Sequence, residues 1–382
     1  MKATLALLLA LAAAAAIPRF GQRENPSAAV SDSDYYLDMA AVFAGERAAF
    51  NPEWSAPGHT GAHHYARPLL PFLAGWTARA IPGLGVRAAF SVVNVLAAWL
   101  IAALLYLVVA RNTTDVRHPW LPSALFLTGF PQVNWGYHIL TDTLGYATAF
   151  AAAVVAWSIL RPGPDRGERA GSAVWLQLLG LFALQTLALL ARETAWIVPV
   201  LVAWLLMRGR ENRFGLGVVV LLVVLLGALP WVTYVRGSGV RPIAIPFDPR
   251  IWLAPGYALD FVVKSAVAFH LAWGVAALGM RGGGLARAPA LLVGWAVGAL
   301  LYMGAGYAHN SLAGVGYPLR LSWALFPLVL FLAGVGAERL SRGRDARVVA
   351  LVLVVVNAAI AVGGTFLDPG TSGLTAPALM AR

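Results

Sequence analysis

Residues 88–110 read AAFSVVNVLAAWLIAALLYLVVA, with no charged side chain anywhere in the run. A helix of that length rises about 35 Å, enough to cross the ~30 Å hydrocarbon core of a bilayer. Lipid offers a backbone no hydrogen-bond partner, so such a run must be helical to satisfy itself. Apolar stretches of the same kind recur near 3–17, 119–132, 143–160, 174–190, 195–207, 214–234, 259–280, 289–307, 319–337 and 348–365. The whole chain is 59% hydrophobic and 12% charged, with a mean hydropathy of +0.72, too apolar for an ordinary water-soluble domain. The expected fold class is an all-α polytopic membrane protein of about 11 transmembrane helices, or 10 if the first is cleaved.

Short loops rich in Lys and Arg mark the cytoplasmic side. With Lys2 inside and the spans threaded alternately, that side holds Arg111–His118, Arg161–Ser172, Arg208–Arg213, Arg281–Arg287 and Glu338–Arg347. Together with Lys2 these carry 15 of the 28 Lys and Arg and 6 of the 17 Asp and Glu. The net charge of +11 thus divides as +9 inside and +2 outside, and the high pI reports topology. Nucleic acid is not expected as a partner. The absence of cysteine excludes a disulfide framework, a thiolate nucleophile and a cysteine-ligated metal. Arg outnumbers Lys 26 to 2, a bias of GC-rich codon use, so the expected location is a bacterial cytoplasmic membrane. Met1–Ile17 reads as an uncleaved anchor with a signal peptide as the alternative, since 15 apolar residues reach only about 22 Å.

A single membrane domain, 1–382, accounts for the chain, with no internal repeat or heptad pattern. Two outer loops exceed hairpin length: Arg19–Arg67, within 18–67, and Arg236–Gly256, within 235–258. An outer tail, 366–382, follows the last span. Long loops gathered on one face are where a multispan enzyme places its site. In the first, Ser31-Asp32-Ser33-Asp34-Tyr35-Tyr36-Leu37-Asp38-Met39-Ala40 opens a helical pattern. Ser31 or Ser33 suits an N-cap, and Tyr36, Met39, Ala40 and Phe43 share one face, so a short amphipathic helix on the outer surface is expected. Asp32 and Asp34 would stand at its N-terminus, where the dipole keeps carboxylates ionised. Capping alone also explains two acids there.

Further along, His59, His63, His64 and Tyr65 precede Arg67-Pro68-Leu69-Leu70-Pro71. The two prolines suit a first helical turn and disfavour a continuous span from residue 68, so a partly embedded segment is expected with Arg67 at its mouth. That guanidinium fits a phosphate with two parallel bonds, and it can equally snorkel to the interface. The three His permit a divalent cation and also suit a solvated loop, so the cofactor stays open. Asn134-Trp135-Gly136-Tyr137-His138 leads through Thr141 to Asp142. Arg192-Glu193 interrupts two apolar segments, where charges need partners or water; a local salt bridge or a helix-terminal pair is the plain reading. Arg241 lies in the second long loop, Lys264 near the next span's start, and His309 and Arg320 in the last outer hairpin. Interface anchoring explains any one of these basic residues as well as ligand binding does.

In their order, spacing and common side, these motifs resemble the C-type glycosyltransferase superfamily, GT-C. The likeness rests on Asp32 to Leu37, on Arg67 to Pro71, on Thr141-Asp142-Thr143-Leu144 and on Arg192-Glu193-Thr194. It is similar to bacterial lipid-linked-sugar enzymes related to protein mannosyltransferases and aminoarabinose transferases. The resemblance implies transfer of a sugar from a polyprenyl-phosphate donor to a hydroxyl of a glycan, lipid or protein acceptor outside the membrane, usually with inversion. It maps the base onto Asp32 or Asp34, a second acidic position onto Asp142, and a basic residue near the donor phosphate onto Arg67. Ser33 separates the two Asp where many relatives have an adjacent acidic pair, which leaves the base and any metal dependence open. The soluble outer C-terminal domain of some relatives is not expected after the last span.

A phosphate leaving group needs little acid but asks for positive charge, and Arg67, Arg241, Lys264 and Arg320 are the candidates. Asp38, Tyr65, His138, Arg192, Glu193 and His309 complete the candidate site, and Trp54, Trp135 and Tyr65 are the aromatic rings that suit a sugar face. A transporter or flippase of a lipid-linked or polar substrate is the main rival, and a scaffold of cell-envelope assembly is a second. The lack of a repeat and the placing of charges at span ends favour the enzyme.

Overall fold

Long uncharged runs leave the backbone no partner but itself, and helices take up almost all of the computed structural model. It describes residues 1–23, 30–56, 59, 61–114, 116–161, 170–208, 214–240, 255–281, 283–311, 322–341 and 345–367. In chain order the helices are α1 (Lys2–Ala16), α2 (Asp32–Ala44), α3 (Pro52–Ser55), α4 (Leu69–Ala80), α5 (Val86–Asn112), α6 (Trp120–Leu127), α7 (Asp142–Leu160) and α8 (Ala170–Ala191). They continue with α9 (Ile197–Arg208), α10 (Phe214–Leu226), α11 (Leu229–Ser238), α12 (Pro255–Arg281), α13 (Gly284–Arg287), α14 (Ala290–Ser311), α15 (Phe326–Leu340) and α16 (Ala346–Leu367).

Among the described residues, eight helical stretches are long and apolar enough to cross a bilayer, and Ala290–Met303 is a shorter apolar helix. The exact count of about 11 spans is thus not confirmed by the described residues, and two of the expected stretches are short for local reasons. Near 119–132 the helix stops at Thr128, and after Gly129 and Pro131 the chain turns through a π-helical segment, Gln132–Gly136. Residues 121–153 are all buried, so this stretch is the centre of the bundle. Near 195–207 the helix α9 has 12 residues behind a short 3-10 turn, Glu193–Trp196, about 18 Å at helical rise.

The centre is aromatic. Phe126 stacks on Trp323 at 5.5 Å, and Phe150 meets Trp295 edge-on at 5.2 Å. Where α12 crosses α15 the backbones touch: a Cβ on Gly279 would sit 2.1 Å from the Leu332 carbonyl, and one on Gly336 2.0 Å from that of Val275. Lipid gives little hydrophobic drive between helices, so small residues that allow such approach supply the packing. Trp175, Leu176 and Leu179 on α8 and Val348, Leu351 and Val355 on α16 point outward and exposed, as lipid-facing side chains do. The backbone of α12 breaks at His270, with φ 34° and ψ −110°.

The first long loop is folded back as its own small layer. Ser31 caps α2, and the expected face is the buried one: Tyr36, Met39 and Ala40 are inside, with Phe43 packed at the edge. Gly45 ends the helix at φ 81°, a left-handed residue that glycine adopts without strain. Next, α4 starts at Pro68, and its Gly75 lies so close to α2 that a Cβ would sit 2.5 Å from the Ala40 carbonyl. A 12-residue helix is too short to span a bilayer alone; α4 packs on α2 and α5.

Candidate active site

The capping box of α2 separates its two N-terminal acids. Oδ2 of Asp34 accepts from the Ser31 backbone N–H at 2.7 Å and from the Arg23 guanidinium at 2.6 Å. Asp34 is thus occupied by the helix end. Asp32 faces another way: its Oδ1 lies 3.3 Å from Nε2 of His64, and its side chain is 37% exposed.

From His64 a chain of polar contacts runs inward. Nδ1 of His64 is 3.0 Å from the Tyr36 hydroxyl, and Arg67 donates to that same hydroxyl at 3.0 Å. One tautomer completes the sequence of donors: Arg67 donates to Tyr36, Tyr36 donates to Nδ1 of His64, and Nε2–H of His64 donates to Asp32. The rest of the Arg67 guanidinium is taken by Glu193, with Nε 3.0 Å from both carboxylate oxygens and NH2 at 2.9 Å. Arg192 turns to the other side, donating to Asp142 at 2.8 Å and to Thr141 at 3.3 Å. The Thr141 hydroxyl lies 3.4 Å from that of Tyr36, so the two ion pairs join at one tyrosine. Gly145 permits this approach, since a Cβ there would sit 2.7 Å from that of Arg192.

Burial raises the Glu193 carboxyl, yet Arg67 and Arg192 outweigh it and pull it down to about 2. Burial also lowers the His64 imidazole from its ordinary 6.5, with Asp32 only partly opposing it. The folded protein therefore holds His64 neutral, in keeping with the tautomer above. An unfolded chain takes up that proton near pH 6.5, so this histidine contributes stability above 6.5 that is lost as pH falls toward the folded value. The stability of the wild type in detergent is expected to fall by up to about 1.4 kcal/mol per pH unit in that window. Thermal melts of His64→Asn beside the wild type between pH 7 and 5 check it; equal slopes would refute the assignment.

Two crystal structures share this architecture: ArnT from Cupriavidus metallidurans in the apo state, and the same protein bound to undecaprenyl phosphate. Each is 17% identical with a TM-score of 0.56; the matches cover 96% and 95% of this chain but only 65% and 64% of the neighbour's. The fold is that of these two structures. The chain spans somewhat under two thirds of those neighbours' length. No protein-family model and no curated protein matches the sequence.

On this frame, Asp32, Arg67, Asp142, Arg192 and Glu193 come together, and Asp34 lies beside them. The adjacent Arg192 and Glu193 form no local salt bridge; each pairs with a different part of the fold. Asp38 is buried beneath the loop, accepting from Tyr65 at 2.6 Å, from the Asn51 N–H at 2.8 Å and from Arg47. Tyr65 and Trp135 are 1% exposed, so neither ring is open to a sugar; half-buried Trp54 meets Tyr35 edge-on at 5.4 Å. His138 is buried, its carbonyl accepting from Asn94 at 2.7 Å. Lys264 is buried near the start of α12. Phe269 beside Trp323 and Tyr146 beside Phe326 place that start at the end of the bundle where α7 begins. Arg241, Arg320 and most of the second long loop lie outside the described residues, as does the tail from 368. His309 is in α14, with its side chain outside the description.

Among the described residues, no three His, Cys, Asp or Glu side chains gather to hold a metal ion. His64 serves the polar chain and stacks on Tyr35 at 5.0 Å. Sequence reasoning missed Tyr36, Thr141 and the part played by His64 in this network. Tyr36 reads as one more apolar face residue, and only its hydroxyl, invisible to periodicity, makes it the junction.

Proposed function

We propose that this chain transfers a sugar from a polyprenyl-phosphate donor to an acceptor hydroxyl on the extracytoplasmic side, with Asp32 as general base. One observation carries the reading: on a GT-C fold, the half-open Asp32 carboxylate stands over a buried chain of donors that holds it in place. The neighbour bound to undecaprenyl phosphate supports a polyprenyl carrier, and the charge bias of the loops supports the side. The acceptor oxygen attacks the anomeric carbon as Asp32 takes its proton; the bond from that carbon to the phosphate oxygen breaks, and the electron pair leaves with the phosphate. Attack opposite the leaving group inverts the centre. His64 donates to Asp32 and fixes its orientation. Arg67, bound to Glu193 and Tyr36, positions this chain, and Lys264, Arg241 and Arg320 are the cations proposed to meet the phosphate.

Asp34→Asn separates the two frames for the base. It weakens the capping box and is expected to cost about 1 kcal/mol of stability while transfer proceeds at close to the wild-type rate; loss of transfer in a folded variant would move the base to Asp34. The reading itself is tested by incubating purified protein in nanodiscs with a panel of short-chain polyprenyl-phosphate sugars. Sugar transfer or donor hydrolysis is expected. Donors that bind without turnover would favour the second reading, a transporter or flippase, which the break of α12 at His270 also suits because transporters carry discontinuous helices.

A further inference from the structure

Two buried donors where the first half of α12 meets the approach to α15 have nothing to donate to. The Ser265 hydroxyl and the Trp323 indole N–H find no hydrogen-bond partner among the described residues, although these residues are only 4% and 5% exposed. The two share a neighbourhood. Ser265 lies one helical turn before Phe269 on the same face of α12, and the Phe269 ring packs on that of Trp323 at 5.0 Å. A polar group buried without a partner destabilises the packing that buries it. An indole N–H only donates, so the missing partner is an acceptor, and an oxyanion accepts most strongly.

The helix that closes over these donors is held differently in its two halves. Beyond His270, Gly279 and Gly336 bring the backbones of α12 and α15 into contact. Before it, the contact with Trp323 is made by the Phe269 ring. His270 itself, at φ 34° and ψ −110°, occupies backbone space that a residue with a Cβ rarely adopts. Its Nδ1 accepts the Leu271 N–H at 2.8 Å, the donor that a regular helix sends back one turn. Leu259, Val262 and Val263 in the first half are exposed, as lipid-facing side chains are, so this half is a wall one helix thick between lipid and the two donors.

We propose that Pro255–Phe269 is a gate turning on His270, which admits a polyprenyl phosphate sideways from the bilayer and lets Ser265 and Trp323 donate to its phosphate. The choice of lipid rests on the transfer reading; the motion does not.

The chain has no cysteine, so spin labels can be placed in pairs without background. Ile360 is exposed on α16, next to Ala361, whose carbonyl accepts from Asn134 at 3.3 Å. In nanodiscs, farnesyl phosphate is expected to lengthen the distance between labels at Val262→Cys and Ile360→Cys by about 4 Å, the displacement that a turn of about 20° gives eight residues from the hinge. A pair beyond the hinge, Met280→Cys/Leu340→Cys, is expected to stay unchanged. His270→Leu should straighten the helix and abolish the shift, whereas His270→Asn, which tolerates positive φ and keeps an acceptor, should retain it. Ser265→Ala and Trp323→Phe are each expected to weaken farnesyl phosphate binding about tenfold while raising the melting temperature without lipid, the opposite of what loss of a structural contact does. No shift, an equal shift in both pairs, or undiminished binding in both variants would overturn the proposal. So would farnesol or inorganic phosphate acting as well as farnesyl phosphate. Turnover of a lipid-linked sugar without the shift would sink the gate alone; the shift without turnover would uphold the gate and remove the transfer reading.

Discussion

Asp32→Asn is expected to lower sugar transfer by about 10²–10⁴-fold, the usual worth of a positioned general base. The substitution is nearly isosteric and the side chain is 37% exposed, so the fold has little reason to change. An Asn carbonyl still accepts from His64, which keeps the first loop in place while removing the group that takes the acceptor's proton. The loss should therefore fall on kcat with little effect on donor binding. Donor titration, followed by single-turnover measurement on the same preparation, separates the two. Undiminished kcat in a folded Asp32→Asn variant would remove the base from this position.

Arg192→Leu is expected to cost about 3–5 kcal/mol of stability, the magnitude for breaking one side of a buried ion pair. Asp142, its side chain only 8% exposed, would lose its charge-assisted bond. The penalty belongs to the buried carboxylate that has lost this bond, so Arg192→Leu/Asp142→Leu should recover most of it. Chemical unfolding in mixed micelles reads both variants. A single variant that loses under about 1 kcal/mol would show that water reaches Asp142 and screens it.

The two predictions bear on residues that were unequally legible. The start of α2 could be read from local chemistry alone: Ser31 caps, Asp34 follows three residues later, and Tyr36, Met39 and Ala40 recur at helical spacing. The ends of α5 and α7 were also plain, because charge ends an apolar run sharply. Near residue 128 the same reasoning gave a span where the structure has a short helix and a π-turn; burial from 121 to 153 looks, in hydropathy, like exposure to lipid. The site was legible as a set of residues and not as a network. Tyr36 meets Thr141 across 105 positions and Arg67 meets Glu193 across 126, and no local pattern encodes such pairings. Of the two plain readings of Arg192-Glu193, a helix-terminal pair and a local salt bridge, the first describes their place, and the second fails because neighbours in a helix-breaking turn point apart.

That separation of 126 residues between Arg67 and Glu193 has a temporal side. A ribosome adds about 5–20 residues each second, so Arg67 exists for roughly 6–25 s before its carboxylate has been made. During that interval α2 can form, because its capping box is local, but the arginine beneath Tyr36 has nothing to close against. The candidate base is thus among the first parts of the protein to be made and among the last to be fastened, and an immature chain carries it in no working geometry.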